Sequence, residues 1–147
     1  MDIYIIDTNL VFSAILNIEH SIGQFILSAH NDNIEFYAPG FLHVELERYI
    51  PKLVELSKME EGEIRRIIAL LYSKINFIAD HLIPFEFYQK AVPYVREVDM
   101  DDLVFVALND FLHERLWTGD LKLYKELKSK GYDRVVTFED IQSELKK

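Results

Sequence analysis

Short apolar segments rich in β-branched and aromatic residues alternate along this chain with longer segments of helical periodicity. Residues 2–7, DIYIID, form the first strand segment, and a helical segment follows from Asn9 to Leu16. Strand–helix alternation of this kind is typical of a parallel sheet that helices cover on both faces. The sequence therefore predicts a three-layer α/β/α fold around a central, mainly parallel sheet.

The alternation continues to the end of the chain, and no linker, repeat or low-complexity segment divides it. We therefore expect residues 1–147 to form one domain with a sheet of about five strands. Pro51 is expected to stop the helix that precedes it, because proline is poorly tolerated inside a helix. The further predicted strands are 34–38, 75–79, 116–118 and 135–137, and the further predicted helices are 22–29, 41–50, 60–73, 84–95, 99–112, 121–129 and a terminal helix after 137.

The composition narrows the class of protein. The chain has no cysteine, which excludes disulfides, thiolate nucleophiles and zinc sites of the cysteine type. The longest uninterrupted apolar run, Leu103 to Leu108, is too short to cross a bilayer, and the N-terminus lacks the basic segment of a signal peptide. We therefore expect a cytoplasmic protein that does not bind membranes. The formal net charge of −9 argues against a module that simply coats nucleic acid.

Two of the predicted strands end in an aspartate. Asp7 closes the segment IYIID, and Asp120 closes the segment RLWTGD. In open parallel sheets the ligand site lies beyond the carboxyl ends of the strands. If these two strands are neighbours, we expect the two carboxylates to meet at that edge of the sheet. Each aspartate could instead do no more than cap the helix that follows it.

Further acids lie in helices close to apolar faces. Asp101 and Asp102 open a helix that is otherwise almost wholly apolar, and Asp99 precedes them by about one turn. All three could simply complement the dipole of that helix. Glu45 lies beside the apolar stripe of its own helix, although helical periodicity does not separate it from Glu47 on the adjacent face.

Carboxylates that crowd together repel one another, and a divalent cation relieves that repulsion. Mg²⁺ and Mn²⁺ prefer oxygen ligands and activate water, so a cluster of acids suits the hydrolysis of a phosphodiester. The cation would also supply the positive charge that an acidic protein lacks towards nucleic acid. Each acid taken singly has an ordinary structural explanation, and the prediction depends on their joint placement. The number of ions, one or two, stays open.

Four motifs, in the same order along the chain, resemble those of the PIN-domain nucleases. That family has a first strand that ends in aspartate, a glutamate after a proline-marked turn, an acid that opens an apolar helix, and a T-x-D element after a short strand. The matching segments are IIDTN at 5–9, APGFLHVELERY at 38–49, DMDDLVFVAL at 99–108 and LWTGD at 116–120.

The resemblance implies a PIN-like fold, dependence on Mg²⁺ or Mn²⁺, and endonucleolytic cleavage of single-stranded or structured RNA. Asp102 is preferred to Asp101 as the third acid, because its distance from Ala107 fits the family's spacing between acid and alanine. Asp101 nevertheless stays open as the ligand. The resemblance assigns metal binding and catalysis to Asp7, Glu45, Asp102 and Asp120, an auxiliary role to Asp99 and Asp101, and supporting polar contacts to Thr8, Asn9 and Thr118.

Many family members of this size are VapC-type toxins, which form homodimers and are inhibited by a small antitoxin protein. The resemblance therefore implies an RNA substrate, an antitoxin partner and a homodimer. Lys122, Lys125 and Lys128 recur at helical spacing and are candidates to contact flanking phosphates, although a solvated helix face is the more common explanation of such spacing. The alternative function is a catalytically silent PIN-like module that binds RNA or protein.

Overall fold

The computed structural model describes residues 1–147, in which five strands alternate with nine α-helices. Every strand predicted from the sequence is present, and its ends differ from the prediction by at most one residue. The strands are β1 (Asp2–Ile6), β2 (Ile34–Pro39), β3 (Ile75–Ile78), β4 (Arg115–Trp117) and β5 (Val135–Val136). The helices are α1 (Thr8–Leu16), α2 (Ser21–Ser28), α3 (Phe41–Arg48), α4 (Ile50–Ser57), α5 (Glu61–Tyr72), α6 (Phe85–Val95), α7 (Leu103–Leu112), α8 (Leu121–Ser129) and α9 (Phe138–Leu145).

The five strands form one wholly parallel sheet in the order β3-β2-β1-β4-β5. β1 pairs with β2 on one side and with β4 on the other, where Ile6 lies opposite Trp117. The strands that end just before Asp7 and Thr118 are therefore neighbours, which is the condition for the two carboxylates to meet. All five carboxyl ends lie along one edge of the sheet, which we call the carboxyl edge.

Helices cover both faces of this sheet. The connections between parallel strands are right-handed. From β1 to β3 the chain adds each strand towards one side of the sheet, and from β3 to β5 it moves towards the other side. The helices α1 to α5 therefore lie on one face, and α6 to α8 lie on the other. Phe25 of α2 packs edge-on against Trp117, which also stacks on Phe138 of α9, so α9 shares the face of α2. The predicted three-layer architecture is confirmed.

The segment after β2 forms two helices where the sequence predicts one. α3 ends at Arg48 and α4 begins at Ile50, with Pro51 in the first turn of α4. The expectation that Pro51 ends the helical segment is therefore wrong. Proline lacks the amide donor that a helix interior needs, but the first turn of a helix leaves that donor unused.

The backbone of α2 closely approaches the segment that connects it to α1. A Cβ atom on Gly23 would lie 2.8 Å from the carbonyl oxygen and 2.9 Å from the Cα atom of Ile18, so only glycine fits there without a backbone shift. No single helix is long and apolar enough to cross a membrane, and the only combination that meets this test is α1 with residues Ser21–Asp32, a pair bent by 111°.

Candidate active site

The carboxyl edge brings Asp7 and Asp120 together at the ends of β1 and β4. Oδ1 of Asp7 accepts a hydrogen bond of 3.0 Å from the amide of Leu10 and caps α1. Oδ1 of Asp120 accepts from the amides of Lys122 and Leu123, at 2.9 and 3.3 Å, and caps α8. Both aspartates therefore cap helices, and this structural role is compatible with their position beside each other.

Thr118 links these two acids. Its hydroxyl donates a hydrogen bond to Oδ2 of Asp7, and its Oγ1 accepts from the amide of Asp120 at 3.0 Å. Thr118 is only 3% exposed, so little water competes for these bonds. The supporting contact predicted for Thr118 is thus a direct hydrogen bond to one acid and to the backbone of another.

Asp7 is a buried carboxyl group, with 3% of its surface exposed. Burial raises its pKa from 3.8 to about 6, because the charged form loses its hydration. The hydrogen bonds from Thr118 and Leu10 lower this pKa, and the negative charge of Asp120 raises it. The carboxylate of Asp7 is therefore held in place at an electrostatic cost that a nearby cation would reduce.

Asp102 is influenced by the charges of four other acids. It closes a 3₁₀ turn, Met100–Asp102, that leads into α7, and the sequence predicts an α-helix there from Asp99 onward. Oδ2 of Asp102 is buried and has no hydrogen-bond partner, a condition that costs about 1–3 kcal/mol or more for a charged group. Burial is the main reason that its pKa is raised to about 8, and the further contributions come from the charges of Asp7, Asp99, Asp120 and Glu45.

Glu45 completes the group from α3. It is 8% exposed, and its Oε1 accepts a hydrogen bond of 2.6 Å from the hydroxyl of Thr8. Burial raises the pKa of Glu45, and the charges of Asp101 and Asp99 raise it further. Glu47 is exposed on the other side of α3 and pairs with Arg65 at 2.8 Å. Glu45, and not Glu47, is therefore the glutamate of α3 that lies with the other acids.

Asp99 and Asp101 lie on the outer side of this group, and both are exposed. Oδ1 of Asp99 accepts from the amide of Asp101 at 2.9 Å and caps the 3₁₀ turn. The charges of Asp99 and Asp101 raise the pKa of Glu45. The pKa of Asp102, by contrast, is also raised by the charges of Asp7 and Asp120 at the strand ends. The geometry therefore favours Asp102 over Asp101 as the acid that faces the strand ends.

The donor set at this edge consists of carboxylate oxygens, which suits a hard cation such as Mg²⁺ or Mn²⁺. As the side chains stand, no three acidic or histidine side chains are arranged at the spacing of a metal site. Both oxygens of Asp7 and one each of Glu45 and Asp120 accept hydrogen bonds from groups of the protein. The buried, unpartnered Oδ2 of Asp102 is the group that a cation would satisfy.

The remaining polar residues predicted from the sequence, Asn9 and the three lysines of α8, do not all lie near the acids. Asn9 is exposed at the carboxyl edge, where its Cβ lies 4.0 Å from the position that a Cβ atom on Gly119 would take. Lys122, Lys125 and Lys128 are all exposed on α8. Lys122 lies beside Asp120, but Lys128 lies about 9 Å further along the helix axis and contacts the carbonyl of Asp133 at 3.5 Å, just before β5 begins. The three lysines therefore do not form one patch beside the acids.

Two further residues near the acids are absent from the sequence prediction. Arg48 lies three residues after Glu45 on α3, its positive charge lowers the pKa of Glu45, and its guanidinium lies 5.8 Å from the centre of the Phe41 ring. Helical spacing from Glu45 is the signal that would have identified it. Asp80 follows β3, and its Oδ1 accepts from the amide of Phe41 at 3.1 Å. Its position after a strand end is the same signal that identified Asp7.

The sequence model of the PIN domain family matches residues 5–140 of this chain. The chain therefore belongs to the PIN-domain family, as its motifs predict. Among curated proteins no match to its sequence was found.

Solved structures share this fold. VapBC2 from Rickettsia felis, in a structure bound to a DNA fragment from its promoter, is similar with a TM-score of 0.69 at 14% sequence identity, over 92% of this chain and 98% of that chain. VapBC-1 from nontypeable Haemophilus influenzae is similar with a TM-score of 0.59 at 17% identity, over 86% of this chain and 93% of that chain. At such low identity the likeness establishes the fold.

Proposed function

We propose that this protein is an endoribonuclease that depends on Mg²⁺ or Mn²⁺ and hydrolyses RNA phosphodiester bonds. The observation that carries the proposal is the position of Asp102, whose buried and unpartnered Oδ2 lies among the charges of three acids from other elements, Asp7, Glu45 and Asp120. Membership of the PIN-domain family supports the same function. A fold that gathers acids at such electrostatic cost is well explained by a cation that they hold.

Each side chain has a distinct role in this proposal. Asp7, Asp102 and Asp120 hold the main cation, and Glu45 binds a second cation or orients the attacking water. Thr118 fixes the carboxylate of Asp7, and Thr8 fixes that of Glu45. A bound cation neutralises charge that develops on the phosphate and favours ionisation of water. The outer acids Asp99 and Asp101 add negative potential that attracts the cation.

The fold likeness to VapBC proteins supports a more specific proposal, that this chain is the toxin of a toxin–antitoxin pair. In that case the chain forms a homodimer, and a small antitoxin protein inhibits its cleavage of RNA. Expression of the wild-type chain alone in a bacterial host should arrest growth, and the Asp102→Asn variant should not. Equal growth with both chains would contradict toxin function and leave the nuclease proposal in place.

Cleavage of labelled RNA with and without Mn²⁺ tests the nuclease function. We expect cleavage that EDTA abolishes and that falls by at least about 100-fold in Asp102→Asn, because this variant removes a charge that the cation requires. Asp133→Asn is the matched control, since Asp133 is exposed at the opposite edge of the sheet. RNA binding without cleavage by the wild-type protein in either metal would favour the silent binding module.

A further inference from the structure

A small cavity of about 180 Å³ opens at the carboxyl edge beside the acids. It lies between the start of α3, the end of β3 and the 3₁₀ turn that precedes α7. Its walls are mainly apolar, and the only charged groups in them are two carboxylates. The residues that matter here are Phe41, Tyr88, Met100 and Leu103 for the apolar walls, and Asp80 and Asp101 for the charges.

The cavity adjoins the candidate active site through Asp101. Asp101 lines the cavity, and its charge also raises the pKa of Glu45. Phe41 lies one helical turn before Glu45 on α3, and Met100 lies two residues before Asp102. A nucleotide whose phosphate lies at the acids would therefore have a neighbouring base within reach of this cavity.

Asp80 gives the cavity a fixed acceptor. Its Oδ1 accepts from the amide of Phe41 at 3.1 Å, and its backbone carbonyl accepts from the hydroxyl of Tyr88 at 2.7 Å. Its Oδ2 takes part in no hydrogen bond or ion pair within the chain. Because a carboxylate only accepts hydrogen bonds, the complementary ligand group is a donor, such as the N–H of a base.

Aromatic walls and an acceptor together are the features with which proteins hold an unpaired base. Single-stranded RNA is recognised by stacking of bases on aromatic side chains and by hydrogen bonds to base edges. Phe41 supplies a ring, and the guanidinium of Arg48 lies 5.8 Å from the centre of that ring. Adenine, cytosine and guanine carry an exocyclic amino group that a carboxylate can accept from. The only donor on the pairing edge of uracil is a ring N–H between two carbonyl oxygens, and these oxygens repel a carboxylate.

We propose that this cavity binds the base of a nucleotide next to the scissile bond and that Asp80 selects a base with an exocyclic amino group. The proposal rests on the proposed ribonuclease function and adds a base preference to it. Phe41 stacks on the base, and Oδ2 of Asp80 accepts from the amino group. Selection then occurs at one position of the RNA, because a cavity of about 180 Å³ has room for a single base.

The Asp80→Asn variant tests the selection directly. Its amide oxygen can still accept from the amide of Phe41, while its NH₂ group presents a donor in place of Oδ2. We measure kcat/KM on short single-stranded RNAs that differ by one base at each position around the cut. The wild-type protein should prefer amino-bearing bases over uracil by about tenfold at one position, and Asp80→Asn should lose or reverse that preference there.

The Glu86→Gln variant is the matched control, because it also removes one negative charge but from an exposed site on α6 that does not line the cavity. It should keep the wild-type preference. Met100→Trp is a second variant, which narrows the cavity from an exposed position and should weaken the preference without changing any charge. A wild-type protein with equal kcat/KM for all bases, or an unchanged preference in a folded Asp80→Asn, would overturn the proposal.

A binding measurement separates this proposal from the ribonuclease function. The Asp102→Asn variant is titrated with the same RNAs, and fluorescence anisotropy reports affinity without cleavage. If the wild-type protein cleaves no RNA but Asp102→Asn binds amino-bearing bases preferentially, the nuclease function fails and the base site stands. If the wild-type protein cleaves RNA and neither assay shows a base preference, the base site fails and the nuclease function stands.

Discussion

The hydroxyl of Thr118 donates a hydrogen bond to Oδ2 of Asp7 and so ties the end of β4 to the end of β1. A second threonine repeats the arrangement, because Thr8 donates to Glu45 and ties α1 to α3. Each of these acids is therefore oriented by a residue that is distant from it in sequence. The orientation of these acids therefore depends on contacts between distant parts of the fold, and each contact is made by a single hydroxyl group.

The first prediction concerns Thr118→Val, which keeps the shape of the side chain and removes its hydroxyl. Oδ2 of Asp7 loses its donor in a buried site, so we expect a loss of about 1–3 kcal/mol in the free energy of unfolding. RNA cleavage with Mn²⁺ should fall by at least about tenfold, since Asp7 is no longer held in one orientation. Chemical denaturation and initial cleavage rates measure the two effects.

Thr137→Val serves as its control. Thr137 caps α9 in a reciprocal hydrogen-bonding pair with Asp140, and its loss should cost about 1 kcal/mol of stability. This variant should retain full cleavage activity. Equal activity in Thr118→Val and Thr137→Val would show that the contact between Thr118 and Asp7 has no part in catalysis.

The second prediction is that the metal-free protein becomes less stable as the pH rises. In the folded state the pKa of Asp102 is raised to about 8 and that of Asp7 to about 6, from 3.8 for both, so the folded state binds these protons more tightly than the unfolded chain. Stability therefore falls as the pH rises from about 4 to about 8. Thermal unfolding in EDTA should show a Tm at least about 3 °C lower at pH 8 than at pH 5.

Asp102→Asn isolates the contribution of one group to that pH dependence. Asparagine has no proton to lose in this range, so the fall in Tm between pH 5 and pH 8 should be smaller than in the wild-type protein. Mn²⁺ should raise the Tm of the wild-type protein more at pH 8 than at pH 5, because it binds the ionised carboxylates. Identical pH profiles for the two proteins would contradict the raised pKa of Asp102.

Much of this site follows from the rule that strands of a parallel sheet end at a common edge. Asp7 and Asp120 are predicted because each follows an apolar strand segment, and the pairing of β1 with β4 brings them together. Glu45 and Glu47 are not separable by periodicity, since both lie near the boundary of the apolar face of α3. Only the packing of α3 in the fold, where it contacts α1 and α4, determines which of them is buried.

Other features of the site depend on local geometry that composition does not encode. Asp102 ends a 3₁₀ turn, and its Oδ2 is buried without a partner, whereas the sequence predicts a regular helix from Asp99 and distinguishes neither oxygen. The start of α4 at Ile50 is missed because proline breaks a helix interior, yet Pro51 fits the first turn of a new helix. Because α4 begins there, α3 ends at Arg48, three residues after Glu45.

The third prediction concerns Arg48, the cation that lies nearest to Glu45. It forms no hydrogen bond or ion pair and is free to meet an RNA phosphate, with its guanidinium over the ring of Phe41. Arg48→Gln should weaken RNA binding and reduce the salt dependence of log K by about one unit. Binding is measured by anisotropy over a series of salt concentrations. Arg66→Gln, which removes the same charge from an exposed site on α5, should leave the slope unchanged.

The fourth prediction tests the close approach of α2 to the segment that follows α1. Gly23→Ala would place a Cβ atom 2.8 Å from the carbonyl oxygen of Ile18, so the variant should lose about 1–3 kcal/mol of stability. Gly62→Ala is the control, because its Cβ would meet nothing closer than 4.0 Å, and it should be unchanged or slightly more stable. A Gly23→Ala variant as stable as Gly62→Ala would contradict this close approach.

The fifth measurement bears on the central claim that folding gathers these acids to hold a divalent cation. Crystals soaked in Mn²⁺ are used to collect anomalous diffraction, which locates the ion independently of any assay. We predict a Mn²⁺ site within about 2.0–2.5 Å of a carboxylate oxygen of Asp102 and of at least one oxygen from Asp7 or Asp120. Soaked crystals that show Mn²⁺ only elsewhere, or none at millimolar concentration, would contradict the claim.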